Sequence, residues 1–388
     1  MGSGDWLHGS LALTSCAERP RLCPTFYVVW VISVGATREK LLRLTIAILS
    51  AVALLLTSAT ACGNNQFVDL YGAPPAPASG VDVWIASDGG AIWHSSDGGA
   101  AWKQQSSGTT RRLIDVTFSD AEHGWAVGIG GIILPTTDGG ATWRTQSSSG
   151  PTLWHVACVD AQHVWALGPD GALLTSADGG GTWQSQKVRG VDLGASDGGG
   201  VAFADVNHGW IAAGNAVRAT SDGGRTWVVQ CRRQDIELRG IACSDARHAW
   251  AVGTRGQEGE PLVLATSDDG ATWNVQHVGK PGVDLTDFAL STVACADDLH
   301  VWAAAGSGQG YVAATTDGGR SWQVHRFSTS LSANAVAAAD ADHVFLTTTG
   351  QPVMVSSDGG ITWSASGRIS WLPEGPAQGV AAVSSTAP

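Results

Sequence analysis

The chain has 388 residues, of which 14% are charged, and it is rich in glycine (51) and tryptophan (18). This length suits one large or two ordinary domains, and the many glycines with few long polar side chains favour a turn-rich all-β protein. The formal net charge of −12 excludes non-specific nucleic-acid binding, which requires a basic surface, so we expect no nucleic-acid partner.

The first recognisable element is an export signal at 38–61. Arg38, Lys40 and Arg43 precede an uninterrupted stretch of apolar and small hydroxyl residues, 44–61. A basic segment followed by an apolar segment that ends in small residues is typical of a secretory signal peptide. The pattern therefore predicts that the main domain lies outside the cytoplasm.

Cys62 directly follows the small residues of this signal and resembles the cysteine of a bacterial lipoprotein box, although Ala59 stands where that box usually has leucine. The resemblance implies cleavage before Cys62, lipidation of its thiol and anchoring to a membrane. One acyl chain binds a membrane only weakly, so stable anchoring needs several chains. An uncleaved transmembrane anchor and soluble secretion are the alternatives.

Three further segments complete the predicted organisation. Residues 1–37 precede the signal, and we interpret them as an over-extended start without a fold. Residues 62–79 contain a Pro/Ala-rich run that predicts an extended tether between membrane and domain. Residues 80–388 carry an internal repeat and form the main domain.

The repeat is most visible in an eight-residue box, TTDGGATW at 136–143, which recurs with small changes in seven copies. Successive copies are 41, 40, 44, 46, 49 and 41 residues apart, the size of a four-stranded propeller blade. The aspartates of the seven boxes are Asp97, Asp138, Asp178, Asp222, Asp268, Asp317 and Asp358.

The rest of each period reads as short strands separated by Gly/Asp turns, in the order strand 1, turn, strand 2, loop, strand 3, box, strand 4. The chain enters this pattern at strand 2 (81–84) and ends on a strand 1 (379–384), so the two ends complement each other. The sequence therefore predicts an all-β fold: a seven-bladed β-propeller of four-stranded blades, whose ring is closed when the C-terminal strand joins the first blade.

We interpret the boxes as structural. Aspartate and glycine suit a tight turn whose carboxylate accepts local hydrogen bonds, and the tryptophan supplies a large ring to pack between blades. Six Asp-x-x-His turns precede strand 2, and we expect turn bonds there too, because one histidine per blade does not converge on a metal. A ligand or metal role for the boxes is the alternative. A similar triplet at 88–90 falls in a strand 2–3 loop and is not an eighth copy.

The box resembles the Asp-box, or bacterial neuraminidase repeat. The fuller pattern, which joins HGWAVG at 123–128 to TTDGGATW, resembles the photosystem II assembly and stability factor family of seven-bladed propellers, over about 80–384. The resemblance implies a non-enzymatic protein whose arginine-bearing face meets a protein partner. Because many functions share this fold, the motif is more specific for fold than for function.

Arginines collect on the face opposite the boxes, where the strand 2–3 and 4–1 loops lie and where the long inserts fall. An arginine fork suits carboxylate recognition, so these side chains are candidates for a protein- or peptide-binding rim; scattered solvated arginines are the alternative. The candidates are Arg111, Arg112, Arg189, Arg232, Arg233, Arg239, Arg255, Arg326 and Arg368. We expect the chain to act as a monomer.

No catalytic, metal or cofactor motif is evident, so we expect no enzyme and no cofactor. A sialidase-like reaction needs a tyrosine nucleophile and an arginine triad, and an ordinary glycosidase needs two facing carboxylates. The domain has few tyrosines and glutamates, and none lies in such a motif. The alternative is a sialidase-like or other glycoside hydrolase, or a glycan-binding propeller.

Overall fold

The computed structural model describes residues 67–68, 78, 80–146, 150–191, 193, 198–279, 289–306, 310–327, 332–349, 351–366 and 377–384. They lie within one compact unit, Asn65–Pro388. The predicted start extension, the predicted signal and Cys62 fall outside the described residues. Within the described residues, no helix has the length and apolarity needed to cross a membrane.

The strands follow the predicted order within each period. The first half of the chain contains β1 (Phe67–Val68); β2 (Val81–Ser87), β3 (Ile92–Ser95) and β4 (Lys103–Gln105) of blade 1; β5 (Leu113–Phe118), β6 (Gly124–Gly128) and β7 (Ile133–Thr136) of blade 2; β8 (His155–Cys158), β9 (Val164–Leu167), β10 (Ala172–Ser176) and β11 (Gln184–Lys187) of blade 3; and β12 (Gly199–Phe203), β13 (Gly209–Ala213), β14 (Ala216–Thr220) and β15 (Val228–Arg232) of blade 4.

The second half contains β16 (Ile236–Cys243), β17 (Ala249–Arg255), β18 (Glu260–Thr266) and β19 (Asn274–Gln276) of blade 5; β20 (Leu290–Cys295), β21 (Val301–Ala305), β22 (Tyr311–Thr315) and β23 (Gln323–Phe327) of blade 6; β24 (Ala333–Ala338), β25 (Val344–Thr348), β26 (Gln351–Ser356) and β27 (Ser364–Ala365) of blade 7; and β28 (Ala377–Ser384). Two single-turn 3-10 helices, Asp88–Gly90 and Pro169–Gly171, lie in strand 2–3 loops, which confirms that 88–90 is not a box.

The C-terminal strand closes the ring, as predicted. β28 pairs antiparallel with β2 over their whole lengths, from Val81 opposite Ser384 to Ser87 opposite Ala377. It thereby becomes the innermost strand of blade 1 and lies beside β5 on one side and β24 on the other. Because closure joins residues from both ends of the domain, every blade has a neighbour on both sides and the seven-bladed propeller is confirmed.

Blade 2 departs from the predicted four strands, because only three are formed among its described residues, which omit 147–149. The segment after its box still donates two backbone bonds to β7, from Arg144 N–H to the Pro135 carbonyl and from Gln146 N–H to the Ile133 carbonyl. Pro135 has no N–H to return, so the reciprocal ladder bond is missing and the fourth segment pairs incompletely.

One strand was not predicted at all. The two residues of β1, in the segment expected to be a tether, pair in parallel with Arg326 and Phe327 of β23 at the outer edge of blade 6.

The core lies between blades, not within them. Strand 2 of each blade contributes one aromatic ring that is at most 2% exposed: Trp84, Trp125, Trp165, Trp210, Trp250, Trp302 and Phe345. In two places a phenylalanine from strand 1 of the following blade stacks on this ring, with centroids 3.6 Å apart for Trp84 and Phe118 and 3.7 Å apart for Trp165 and Phe203. Blade 1 is thus joined to blade 2, and blade 3 to blade 4, by buried aromatic area.

Candidate functional site

Each box satisfies its own polar groups. In the second copy the Thr136 hydroxyl donates to Asp138 Oδ1 at 2.8 Å and accepts the Gly140 N–H at 2.8 Å. The Thr142 N–H and hydroxyl donate to Oδ1 and Oδ2 of Asp138 at 2.8 and 2.7 Å. The bonds from Thr142 lower the pKa of the Asp138 carboxyl. Such a carboxylate is committed to its turn and has little capacity left for a ligand.

The same pattern recurs in full around five of the other six aspartates. Asp97 accepts the Ser95 hydroxyl and the Ala101 N–H, but it lacks the second hydroxyl bond because Ala101 replaces the threonine there. In the sixth box serine replaces threonine and still donates to Asp317, whose pKa falls to about 2 because these bonds outweigh the effect of burial. The geometry therefore accommodates both of these replacements.

A glutamine that was not predicted from the sequence joins five of the seven boxes to the preceding blade. Gln105 donates from Nε2 to the Gly139 carbonyl at 2.8 Å and accepts the indole N–H of Trp143 on Oε1 at 3.1 Å. Trp84 donates to the same Gly139 carbonyl at 3.0 Å. The glutamine is the third residue after the box tryptophan in five periods, a pattern visible in the sequence: Gln105, Gln146, Gln186, Gln230 and Gln276.

The Asp-x-x-His turns lie on the same face as the boxes. His163 Nδ1 is 2.9 Å from Asp160 Oδ2, and Asp160 Oδ1 also accepts the N–H groups of Gln162 and His163. Burial alone would raise the pKa of this carboxyl, but those hydrogen bonds lower it overall. The Gly179 N–H of the neighbouring box donates to the Gln162 carbonyl at 2.9 Å, which ties box and turn together. The box face is thus a self-contained hydrogen-bonded surface.

On the opposite face, most candidate arginines are already engaged. Arg112 Nε lies 2.8 Å from Asp88 Oδ1, and its Nη2 donates to Gln378 Oε1 at 2.8 Å. The remaining contacts join Arg233 Nη2 to the Trp273 carbonyl (3.2 Å), Arg239 Nη2 to Glu237 Oε1 (3.3 Å), Arg255 Nη2 to Glu260 Oε2 (2.8 Å), and the Arg326 guanidinium to the Tyr311 ring (4.9 Å). These side chains are spread around the disc, so the structure does not gather them into one rim.

The exposed candidates are Arg111, Arg189 and Arg232, while Arg368 lies outside the described residues. Beneath Arg189 is an arginine that the sequence analysis missed. Arg218 is only 3% exposed and donates from Nη2 to the Gly190 carbonyl. Burial, together with repulsion from Arg232, lowers its pKa. Among the described residues of this face, Arg189, Arg218 and Arg232 therefore form a basic cluster at the junction of blades 3 and 4.

The innermost strands enclose an axial cavity of about 460 Å³. Its polar lining includes Asp115, His155, Glu237, Arg239, Ser291, Thr292, Asn334 and Gln378. All of these residues belong to the first half of a strand 1, the half nearest the strand 4–1 loops. The cavity therefore lies on the loop side of the disc, opposite the boxes.

Asp115 is the most perturbed carboxyl of the cavity. Its Oδ2 accepts the Val156 N–H of the next blade at 2.9 Å, and its Oδ1 accepts the Val116 N–H at 2.9 Å. The side chain meets the cavity but is surrounded by protein, and this burial raises its pKa to about 7 in spite of the two bonds. Near neutral pH Asp115 can therefore both carry and release a proton.

Within the described residues, no group of three His, Cys, Asp or Glu side chains is placed to hold a metal ion. The four described cysteines, Cys158, Cys231, Cys243 and Cys295, are free. Burial raises the pKa of the Cys158 and Cys295 thiols to about 12, so these two behave as small apolar residues.

Comparisons with known proteins agree with this architecture. A family model described as photosynthesis system II assembly factor YCF48 matches residues 101–152, and a BNR/Asp-box repeat model matches residues 354–365. No curated protein sequence is similar enough to count as a match.

Among solved structures, YCF48 bound to D1 peptide is 18% identical over 75% of this chain and 88% of its own, with a TM-score of 0.50. The Niastella koreensis GH74 enzyme is 16% identical over 77% of this chain and 55% of its own, with a TM-score of 0.59. The Xanthomonas campestris GH74 xyloglucanase is 14% identical over 78% and 56%, with a TM-score of 0.55. The chain thus spans just over half the length of the two GH74 enzymes.

At such identities the solved structures show the fold alone. The family models add the repeat, because each matched segment contains a complete Asp-box, at 136–143 and at 356–363. The chain is an Asp-box-repeat, seven-bladed β-propeller that resembles the photosystem II assembly factor family.

Proposed function

We propose that this protein is a non-enzymatic binding protein that holds a protein or peptide partner on its loop face. The observation that carries the proposal is the contrast between the two faces. The box face uses its carboxylates and hydroxyls in its own turns, whereas the loop face presents exposed arginines around an open polar cavity. The YCF48 structure with a bound D1 peptide supports a peptide as the partner class.

The proposal includes a location. The signal-like segment and Cys62 support a lipid-anchored protein on the outer side of a cytoplasmic membrane, with the propeller near membrane-associated partners. A monomer is sufficient for this role, because closure of the ring leaves no blade unpaired.

Charge reversal at the basic part of the loop face tests the proposal. The double variant Arg189→Glu, Arg232→Glu should lose most capture of a partner from detergent-solubilised membranes, because both side chains are exposed and neither forms an ion pair among the described residues. The matched control is Arg225→Glu, Arg320→Glu, which reverses two exposed charges on the box face. Quantitative mass spectrometry of captured proteins and melting temperatures should be compared for both variants.

The expected result is loss of capture in the loop-face variant, retention in the control, and unchanged melting temperatures in both. Equal capture by the two double variants would contradict a loop-face partner site.

A glycoside hydrolase is the second candidate, and one observation favours it. Asp115 and Glu237 stand on different blades but line the same cavity, and Asp115 has the raised pKa expected of a general acid. Against it, both oxygens of Asp115 already accept backbone N–H groups. Turnover of aryl glycosides that disappeared in Glu237→Gln would establish the enzyme; we expect no turnover.

A further inference from the structure

The innermost strands share a feature that the repeat does not require. In five blades strand 1 carries a β-bulge at the same repeat position, so that one residue has no partner on strand 2. The unpaired residues are Ile114, Arg239, Ser291, Asn334 and Gln378. Bulges re-aim a side chain, and all five of these residues line the axial cavity.

In the two remaining blades the residue at the same repeat position also lines the cavity. Together these seven residues encircle the axis, and we call them the ring residues. Trp154 precedes β8 in blade 3 and Gly199 begins β12 in blade 4, and both line the cavity. The seven positions hold seven different residue types, although the second residue after each is always valine or isoleucine. The fold constrains the neighbours of this position but leaves the position itself free to vary.

Small residues beside the ring keep the inner strands close together. A Cβ added to Gly240 would lie 2.9 Å from the Ser291 carbonyl oxygen, and one added to Gly379 would lie 2.7 Å from the Asp115 Cα. The inner strands therefore approach closely at these two glycines, and the ring residues contribute seven different residue types to the cavity wall.

Three ring residues carry a buried polar atom without a hydrogen-bond partner in the described part of the chain: Trp154 Nε1, Arg239 Nε and Ser291 Oγ. The indole and guanidinium groups can only donate, and the hydroxyl can donate as well. An unmet buried donor is costly, so the natural complement is a ligand that brings oxygen acceptors.

We propose that the axial cavity binds a carboxylate of the partner, either its chain end or an acidic side chain, with Arg239 as the main recognition residue. The inference rests on the proposed peptide-binding function and places one contact within it. The Nε and Nη2 atoms of an arginine form a fork that matches two carboxylate oxygens. In Arg239 the Nε arm is unoccupied and the Nη2 arm makes only a 3.3 Å contact with Glu237, whose side chain is 60% exposed.

The charged and titratable groups that line the cavity are Asp115, His155, Glu237 and Arg239. Glu237 can turn into solvent when a ligand carboxylate takes its place on Arg239. Asp115 can be neutral near pH 7, so that it offers a proton instead of a repelling charge. An incoming carboxylate favours this protonated form, and binding should therefore weaken as the pH rises above 7.

Three small probes test the proposal without the natural partner: an N-acetylated alanine tripeptide with a free carboxylate, its C-terminal amide, and an amidated tripeptide with a central glutamate. Binding to the folded propeller should be measured by ligand-observed NMR titration at pH 6.5 and pH 8.5. We expect one or both acids to bind in the millimolar range, more tightly at the lower pH, and the neutral amide to bind at least roughly tenfold more weakly. The two acids distinguish a chain end from an acidic side chain.

Variants of two ring residues test whether the ligand carboxylate contacts them. Arg239→Gln should weaken binding of the acid at least roughly tenfold, whereas Arg225→Gln, which changes an exposed arginine of the box face outside the cavity lining, should leave binding unchanged. Trp154→Phe keeps an aromatic ring, removes the unpaired N–H and should weaken binding even if Arg239→Gln folds poorly. Equal binding of acid and amide, preference for a sugar probe such as cellobiose, or no binding of either acid would overturn the inference. If capture of a partner by the loop face persisted in that case, the proposed function would stand and only the cavity contact would fall.

Discussion

At the residue scale, the fold assigns different roles to side chains at one repeat position. Asp115, His155, Thr292 and Ala335 occupy the position directly after the ring residue, where other blades have glycine. Thr292 Oγ1 accepts the Val336 N–H of the next blade at 3.2 Å, as Asp115 accepts the Val156 N–H. A hydroxyl can therefore perform the inter-blade bond of Asp115 without a carboxyl.

This comparison predicts the effect of Asp115→Thr. Between about pH 4 and pH 7 the folded wild type holds a proton on Asp115 that the unfolded chain has lost, so its stability falls as the pH rises. The variant should lack this loss. We expect it to gain about 1–3 kcal/mol relative to wild type between pH 5 and pH 8, less than a shift of roughly three pKa units would give in a dry site. Urea unfolding at both pH values measures the difference; parallel changes in both proteins would show that Asp115 titrates normally.

At the element scale, neighbouring blades are joined by aromatic side chains and by glutamines from strand 4. The box tryptophan was expected to pack between blades, and Trp143 does lie in the core cluster that blades 1 and 2 share. We call the bonds from the strand 4 glutamine to the box of the next blade the glutamine lock. It was not predicted, because its partners are in the next blade and only the folded propeller brings them together. In blades 6 and 7 the same position holds His325 and Ser366, both buried, so the lock varies around the ring.

The lock can be tested within one strand. Gln105→Met keeps the side-chain volume but removes the bonds to the Gly139 carbonyl and the Trp143 indole. The Gly139 carbonyl keeps its bond from Trp84, but the Trp143 indole N–H is left unpaired, which should cost about 1–3 kcal/mol of unfolding free energy. Gln104→Met on the same strand, where the side chain is exposed, is the matched control and should cost little. A similar loss in both variants would mean that Gln105 acts through the strand and not through the lock.

At the scale of the whole molecule, the sequence was sufficient for the fold because each period repeats the same strand pattern. The count of seven boxes predicted the number of blades. The complementary partial repeats at the two ends predicted the closure between β2 and β28. The missing strand in blade 2 depends on the N–H that Pro135 lacks. The consensus pattern of the repeat does not show this substitution, because it occurs in one blade.

The candidate site was less predictable. The arginine list could be read from the loops, but whether Arg112 or Arg255 is paired depends on a carboxylate brought close by folding. The axial ring depends on bulges, which are a matter of strand register and leave no clear mark in a single period. The structure thus moves the emphasis from a wide arginine rim to the blade 3–4 junction and the cavity at the axis.

The division between a self-satisfied box face and a binding loop face is tested most directly by photo-crosslinking. A benzophenone amino acid should replace Glu258, exposed in a strand 2–3 loop, or Glu122, exposed in an Asp-x-x-His turn, and each protein should be irradiated in intact cells. We predict a discrete crosslinked partner from position 258 and only background from position 122. A partner crosslinked from position 122 and absent from position 258 would contradict the loop-face site.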